Sequence, residues 1–497
     1  MAQKSVPTRW RIALAALAVW AAALAYAQDN AVTLARILAE KGTISAAELA
    51  RIEGAAPGDR VNALAALLQQ KGVLTSSEVA RLNPPAAAVS GQQLAAAHPS
   101  GPTTSPQTAE QAPPVVAQSK FPVTVYGTLV LNAFDNTALG NITDIPLFLS
   151  KQGSDASGND KTFGMTARQS RFGLRYEDDH EIAGGKLSGQ FEFDLLGGSA
   201  PFGNGANMDL FRLRLAYGKM DWTHVSVEAG QDWSIFAPLN PTSFAEYAIP
   251  SMSASGNPWI RMPQLRVDLH GALSDQFKLL AQFAAIDPNV GDYSTTAISA
   301  TAPPGIGERG RAPGVETRFA LTDHVDDRDF TVGVSGHYTH GKNSGPVGTV
   351  TEQIPIDSWG VALDYTLPFT RRFNLSGELY TGRGLGIFSV TSGESILPPG
   401  SLGDKGVRSS GGWIQAQYNF TRKWQMNLVY GIDDPRARDL PVGDRMRNQS
   451  YMGNIMYKYT PHATIAWEYR RLLTDYRNQI FANERGDHVD LALVYVF

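Results

Sequence analysis

The chain contains no cysteine, which excludes several structural and chemical possibilities at once. A disulfide framework, a thiolate zinc site and a cysteine nucleophile all need that residue. Charge is also scarce: Asp, Glu, Lys and Arg make up 18% of the 497 residues, and the formal net charge is −4. This composition argues against a coiled coil or a disordered acidic chain. Without a basic stripe, it also argues against a nucleic-acid binder.

Long apolar runs are absent except at the N-terminus, where one run has the layout of a targeting segment. Basic residues precede an Ala/Leu-rich core over 12–24, and Ala25 and Ala27 provide the small side chains of a cleavage site. This pattern predicts an export signal peptide over residues 1–27. The alternative, a retained membrane anchor, needs about 20 apolar residues in a row.

Residues 28–84 are predicted to be helical, because they contain two copies of one pattern, 34–52 and 64–82. In each copy, apolar residues at helical spacing end at a glycine suited to the left-handed conformation of a helix terminus. A hydroxyl residue followed three positions later by Glu then predicts a capping box that opens a second helix. These signals are Gly42, Ser45 and Glu48 in the first copy, and Gly72, Thr75 and Glu78 in the second.

The repeat allows two interpretations, and the segment after it is of a different kind. The copies are either two short helical hairpins that pack on each other, or a periplasmic coiled-coil or cell-wall contact element. The following segment, 85–120, is rich in Pro, Ala, Gln, Ser and Thr. Such a composition buries too little apolar surface to offset the entropy of ordering, so it predicts an extended linker.

Residues 121–497 change to an alternation of apolar and polar side chains with a period of two. The segment 186–195 places its charged and amide side chains on one face and its Leu and Phe side chains on the other. A helix would scatter these charges around its circumference, so the pattern predicts β-strands. The predicted strands are 122–135, 163–176, 186–195, 210–220, 225–232, 264–271, 277–286, 315–321, 330–339, 357–367, 373–382, 411–420, 424–432, 450–459, 463–471 and 488–497.

The connections between these strands alternate in length. Those after even-numbered strands are mostly short, whereas those after odd-numbered strands are long, such as 136–162, 233–263, 340–356, 433–449 and 472–487. A bacterial barrel has this layout, with periplasmic turns at one rim and extracellular loops at the other. The sequence therefore predicts an all-β, 16-stranded antiparallel transmembrane β-barrel. A large soluble β-sandwich, the alternative, gives no reason for loop length to follow strand parity.

The apolar face of the predicted strands carries little charge, as a hydrocarbon environment requires. In the last strand Val489, Leu491 and Leu493 lie on this outward face, whereas His488 and Asp490 point inward. Aromatic residues gather at outward strand ends, which is typical of the girdles at the two membrane interfaces. They are Tyr176, Tyr217, Trp359, Tyr365, Trp424, Tyr459 and Tyr469.

The inward face carries the charges that could act on a solute. Its arginines come from the first half of the predicted barrel and so line one wall; they are Arg171, Arg175, Arg212, Arg214, Arg266 and Arg318. The inward acids of this half are Glu192, Asp194, Glu228, Asp268 and Glu316. One interpretation is that these groups are solvated or paired with one another. The other is an anion-preferring wall, because guanidinium groups bind carboxylates bidentately in a narrow pore.

Motifs for catalysis or cofactor binding are missing from the sequence. It has no nucleophile elbow, no His-Glu-x-x-His helix and no phosphate-binding glycine loop. His337 and His340 would point to opposite faces of a strand, which argues against a metal site. A barrel phospholipase would need Ser, His and an acid at the lipid-facing rim, and no such set is found. We therefore expect no cofactor, no metal and no enzymatic activity.

Three short motifs and the C-terminus resemble those of general bacterial porins. The motifs begin at Gln169, Phe211 and Ala229, and the chain ends in Tyr495-Val496-Phe497. The whole layout is similar to the DcaP-like porins, which are trimeric channels with a helical N-terminal extension. The resemblance implies a homotrimer in the bacterial outer membrane, in contact with its lipid and lipopolysaccharide. It also implies recognition of Phe497 by the barrel-assembly machinery.

In porins the third long connection folds inward and narrows the channel. The resemblance therefore implies a constriction loop between Trp233 and Pro263, with Arg261 near its end and Glu246 facing the arginine wall. A basic wall opposite an acidic loop would orient dipolar solutes and set charge selectivity. We expect a passive porin for small hydrophilic solutes that prefers anionic organic acids. The alternative is a structural or adhesion protein that uses the helical repeat to contact the cell wall or a partner.

Overall fold

A computed structural model describes residues 35, 36, 39, 44–55, 60–71, 122–151, 161–198, 209–289, 305–347, 350–388, 406–477 and 483–497. The chain divides into two compact units, Met1–Gly101 and Pro102–Phe497. The predicted signal peptide, the predicted linker and the second-copy signals Gly72, Thr75 and Glu78 lie outside the described residues, as does Gly42. Within the described ranges, no helix is long and apolar enough to cross a membrane.

The first unit contains helices α1 (Ala46–Glu53) and α2 (Arg60–Gln70). The capping box predicted for the first copy is confirmed: the backbone amide of Ser45 donates to the Glu48 carboxylate at 2.6 Å, and the Glu48 amide donates to the Ser45 hydroxyl. Ile52 of the first copy and Leu64 and Leu68 of the second share one apolar core. This packing supports the interpretation of hairpins that pack on each other. The repeat as a whole stays a prediction.

The second unit is a single antiparallel sheet, and 3-10 helices at Glu308–Gly310, Gly386–Phe388 and Ala437–Asp439 lie in its long connections. Its strands are β1 (Val123–Asn136), β2 (Thr162–Thr166), β3 (Arg171–Ile182), β4 (Gly185–Asp194), β5 (Arg212–Asp221), β6 (Val225–Trp233), β7 (Arg261–Ala272), β8 (Phe277–Ile286), β9 (Gly314–Val325), β10 (Arg328–Val347), β11 (Val350–Leu367), β12 (Phe373–Arg383), β13 (Arg408–Asn419), β14 (Trp424–Pro435), β15 (Arg445–Lys458), β16 (Ala463–Tyr476) and β17 (Asn483–Val496).

The sheet closes into a barrel, because β1 pairs with β17 along one edge and with β2 and β3 along the other. β2 and β3 are the two halves of one predicted strand, interrupted at Ala167–Ser170. The 17 strands therefore fill 16 positions of the wall, and the predicted strand number is confirmed. When β2 and β3 are counted as one strand, each strand pairs with its neighbours in sequence and β17 pairs with β1, as a barrel without crossovers requires.

Several long connections contain more strand than the sequence predicts. The hairpin of β10 and β11 continues through most of 340–356, and β14 to β17 extend into 433–449 and 472–487. Alternation of apolar and polar residues identifies a strand only where one face meets lipid and the other the lumen. Where a hairpin rises above the membrane both faces are polar, so pairing persists while the sequence signal disappears.

The outward face of the barrel is an apolar surface, and every strand except β6 leaves large apolar side chains exposed there, as the predicted lipid-facing pattern requires. In β17, Val489 and Leu493 are exposed, whereas His488 and Asp490 are buried inside. Hydrocarbon tolerates only closed hydrogen-bonding arrangements, and this barrel provides one. Exposed side chains of this surface include Leu129, Leu174, Phe191, Leu213, Leu265, Phe283, Phe319, Val334, Val361, Leu379, Ile414, Leu428, Ile455 and Trp467. The barrel spans the membrane through these strands.

Candidate pore and constriction

The connection between β6 and β7, residues 234–260, folds into the barrel and is called L3 below. None of its side chains is exposed, and most are fully buried. A buried loop must find partners for its backbone groups, and polar side chains of the wall supply them. Four backbone amides of L3 donate hydrogen bonds to wall side chains: Ile235 to Glu316, Ala237 to Ser335, Leu239 to Glu378 and Thr242 to Gln415. In the other direction, the side-chain amide of Asn132 donates to the carbonyl oxygen of Phe244.

These partners come from both halves of the wall, so L3 crosses the lumen. Gln169 has the densest set of contacts with the loop: its side chain accepts from the amides of Tyr247 and Ala248 and donates to Ala245 O at 2.7 Å. Gln169 belongs to a sequence motif but is not among the predicted pore residues, and neither are Glu378, Gln415 and Glu468. The signal available for them was an inward polar position in the middle of a strand.

The carboxylate of Glu246 does not face the arginine wall, contrary to expectation. It pairs with Arg470 of β16, and both side chains are fully buried. Arg470 also donates to Pro146 O and to the Ser450 hydroxyl. L3 presents two backbone carbonyl groups to the arginine wall, in addition to the ring of Tyr247: Arg171 donates to Tyr247 O, and Arg212 and Arg214 donate to Ala248 O. The expected basic wall opposite an acidic loop is therefore not formed by Glu246.

Four of the six wall arginines are neutralised by carboxylates beside them. Arg212 and Arg214 both pair with Asp194, and Arg214 also pairs with Glu192 at 2.6 Å. Deeper along the wall, the pairs are Arg266 with Glu228, Asp232 and Asp268, and Arg318 with Asp364 at 2.6 Å. Of the two interpretations of the wall, mutual pairing describes these four residues.

Glu316, the remaining predicted acid, binds groups of L3 and does not pair with an arginine of the wall. It accepts from the Ser234 hydroxyl at 2.7 Å and from the amide of Ile235, and His337 lies 3.1 Å away. His337 is buried inside the barrel, whereas His340 contacts Asp357 on the other face. The prediction that the two histidines point to opposite faces is confirmed.

A β-bulge in β5 changes the face assigned to part of this strand. Glu192 lies opposite Leu215 and Phe193 opposite Leu213, so Arg214 is an extra residue. A bulge shifts the alternation that follows it by one position. Leu215 is therefore buried inside, and Tyr217 points inward with its hydroxyl donating to Gln190 at 2.9 Å. The prediction of Tyr217 in the outward aromatic girdle was wrong for this reason.

The other cations of the site rest on aromatic rings. The Arg171 guanidinium lies 3.6 Å from the ring centre of Tyr247, and the Arg175 guanidinium lies 5.1 Å from that of Tyr126. At the ends of L3, Arg261 lies over Trp233 at 4.6 Å and over Trp259 at 5.1 Å. Such contacts hold a guanidinium in place without neutralising its charge.

The fold is that of outer-membrane channels. The barrel is similar to the outer membrane channel DcaP of Acinetobacter baumannii, with a TM-score of 0.56 and 17% identity over 76% of this chain and 97% of that one. Weaker likenesses are to OprB of Pseudomonas putida (TM-score 0.48, 11% identity, 76% and 94% covered) and to an anion-selective porin from Comamonas acidovorans (TM-score 0.44, 16% identity, 76% and 99% covered).

No family model matches the sequence, and no curated protein matches it either. The likeness to DcaP is therefore a likeness of fold. It agrees with the resemblance that the sequence motifs indicate.

Proposed function

We propose that this protein is a passive diffusion channel for small hydrophilic solutes in the bacterial outer membrane. The observation that carries the proposal is a closed barrel of 16 strands, apolar outside and charged inside, with L3 folded across its lumen. A polar interior inside an apolar surface is what a water-filled pore through a membrane requires. The proposal includes no catalysed reaction.

The proposed path lies beside L3, along the inner face of β3 to β5. At the level of L3 the inward side chains of β7 to β17 are almost all buried. Arg171, Arg175, Gln190 and Arg212 stay partly exposed. The proposed preference for anionic organic acids rests on Arg171 and Arg175, the arginines of this strip without a close carboxylate partner, because guanidinium groups bind carboxylates strongly where water is restricted.

Single-channel recording in planar bilayers with a KCl gradient tests both parts of the proposal. We expect discrete conductance steps and a reversal potential of the sign that anion flow produces. A folded, heat-modifiable protein without conductance would overturn the channel. A reversal potential of the opposite sign would overturn the anion preference and leave the channel standing.

We also propose a homotrimer, assembled through the outer-membrane barrel machinery with Phe497 as the recognition residue. Apolar outward faces such as that of β3 to β5 suit either lipid or a neighbouring barrel. Light scattering of the detergent-solubilised protein distinguishes the two possibilities, because it measures the mass of the assembly. We expect the mass of three chains, and the mass of one chain would overturn the trimer. Lipopolysaccharide is the partner proposed for the outward face above the aromatic girdle.

A further inference from the structure

Three arginines of the site have no carboxylate in a close ion pair, and each lies on an aromatic ring. Arg175 and Arg261 have no ion pair among the described residues, and Arg171 lies 3.9 Å from Glu192, which Arg214 holds at 2.6 Å. One Nη of Arg261 and the Nε of Arg171 are buried without a hydrogen-bond partner. In contrast, Arg214, Arg266 and Arg318 are ion-paired and almost fully buried.

Stacking on a ring leaves a guanidinium able to bind an anion. The ring occupies the flat face of the cation, while the N–H groups lie in its plane and point away from the ring. A carboxylate can approach that edge and accept two parallel hydrogen bonds. An arginine already held by Asp or Glu has both its charge and its donors engaged, so it has much less to offer a solute.

The three ring-backed arginines follow one another through the barrel. Arg261 begins β7 directly after L3, and the Trp233 ring on which it lies is also 6.0 Å from the guanidinium of Arg214. Arg171 begins β3 at the level of L3, whose Tyr247 covers it. Arg175 is four residues further toward the short turns, about 13 Å along the strand.

The geometry points to Arg261, Arg171 and Arg175 as three successive binding stations for a carboxylate group, which moves from one guanidinium to the next through the barrel. The ion-paired arginines position L3 and the wall, and do not bind the solute. This inference rests on the proposed channel function and deepens it. Several weak stations in series allow an anion to enter and also to leave, which conduction requires.

The test is the dependence of single-channel conductance on potassium acetate concentration. We expect wild-type conductance to saturate, and we expect Arg175→Gln and Arg261→Gln each to raise the half-saturating concentration roughly tenfold or more, because a charge-assisted contact is lost. Arg175→Lys keeps the charge and removes the two-pronged donor. It should preserve the reversal potential in KCl and still raise the half-saturating acetate concentration.

Lys219→Gln is the matched control. Lys219 lies on the inner face of β5 and is already paired with Asp221 at 2.8 Å. Its replacement by Gln removes one positive charge, as Arg175→Gln does. An equal effect of Lys219→Gln and Arg175→Gln would show that only net charge matters and would overturn the stations. A conducting wild type whose half-saturating concentration is unchanged in Arg175→Gln and Arg175→Lys would overturn them too, with the channel intact. Absence of conductance in wild type would overturn the proposed function itself.

Discussion

The carboxylate of Glu246 in L3 accepts a hydrogen bond from the guanidinium of Arg470 on β16, and neither side chain is exposed to solvent. The pair joins the middle of the inward loop to the wall near the seam where β17 meets β1. Ser243, three residues before Glu246, donates to Glu468 at 2.6 Å on the same strand. L3 is therefore tied to β16 at two adjacent points.

Replacing Glu246 by Gln is expected to loosen L3. Arg470 would keep its charge in a buried place without its carboxylate, and breaking a buried pair in this way costs roughly 3–5 kcal/mol. We expect larger and noisier single-channel conductance and faster proteolytic cleavage within L3. Ser243→Ala is the control and should have a smaller effect, because it leaves the pair of Glu246 and Arg470 in place and Glu468 keeps its hydrogen bond from Asn454. Equal, wild-type-like currents in both variants would contradict the role of the pair.

Gly230→Ala is expected to destabilise the barrel strongly. Gly230 has φ +136°, and a Cβ atom there would lie 2.2 Å from the carbonyl oxygen of Ala216 and 2.6 Å from the Cα of Tyr217. Strain of this kind and a contact with rigid backbone together cost at least about 2 kcal/mol. Urea unfolding in phospholipid vesicles measures the loss. Gly218→Ala on the neighbouring strand has only the Ser188 carbonyl oxygen within 4.0 Å, so its midpoint should stay near that of wild type.

Phe497→Ala should weaken the closure of the barrel. The backbone of Phe497 exchanges two hydrogen bonds of 3.0 Å with Gly127, and its ring covers Gly127 and is tilted by 55° against the ring of Phe172, with 6.3 Å between the ring centres. Removing the ring uncovers that seam, and we expect a loss of ~2 kcal/mol in the free energy of unfolding. Phe163→Ala, at a side chain that is 72% exposed, leaves no cavity within the protein and is the comparison. Similar losses in both variants would show that the seam is not special.

The stability of α1 should fall at acid pH. The backbone hydrogen bond from Ser45, followed by the contact with Lys71 at 3.0 Å, lowers the pKa of Glu48 below its ordinary value. A carboxylate whose pKa is lowered by folding stabilises the fold above its unfolded pKa, and that contribution is lost as pH falls through the folded pKa. Hydrogen-exchange protection factors of 46–53 in the full chain should therefore decrease between pH 7 and pH 3.

Glu48→Gln separates this effect from other titrations. Gln can still accept the Ser45 hydrogen bond, since either residue completes a capping box, but it has no charge to lose. The variant should show a smaller fall in protection than wild type over the same pH range. An identical fall in both proteins would assign the acid sensitivity to another carboxylate, such as Glu53, which pairs with Arg36.

The sequence by itself determined the barrel. Lipid on one side and a polar lumen on the other impose a period of two on every strand, and that period can be counted without knowing which strands meet. All 16 predicted strands are confirmed, and the capping box at Ser45 and Glu48 is confirmed as well, because its two hydrogen bonds link residues only three apart. Local and periodic features of this kind need no tertiary information.

Only the tertiary structure decided how the charges are shared. Glu246 and Arg470 are far apart in sequence, and nothing local favours that pair over Glu246 with Arg212 or Arg214. The bulge at Arg214 adds one residue to β5, so Tyr217 points into the barrel. The alternation of apolar and polar residues in the sequence continues through this point and gives no sign of the bulge. Whether an inward arginine is ion-paired, like Arg318, or rests on a ring, like Arg175, depends on which strand lies opposite and on where L3 crosses. Pairing energies fall steeply with distance, so they follow a geometry that periodicity does not encode.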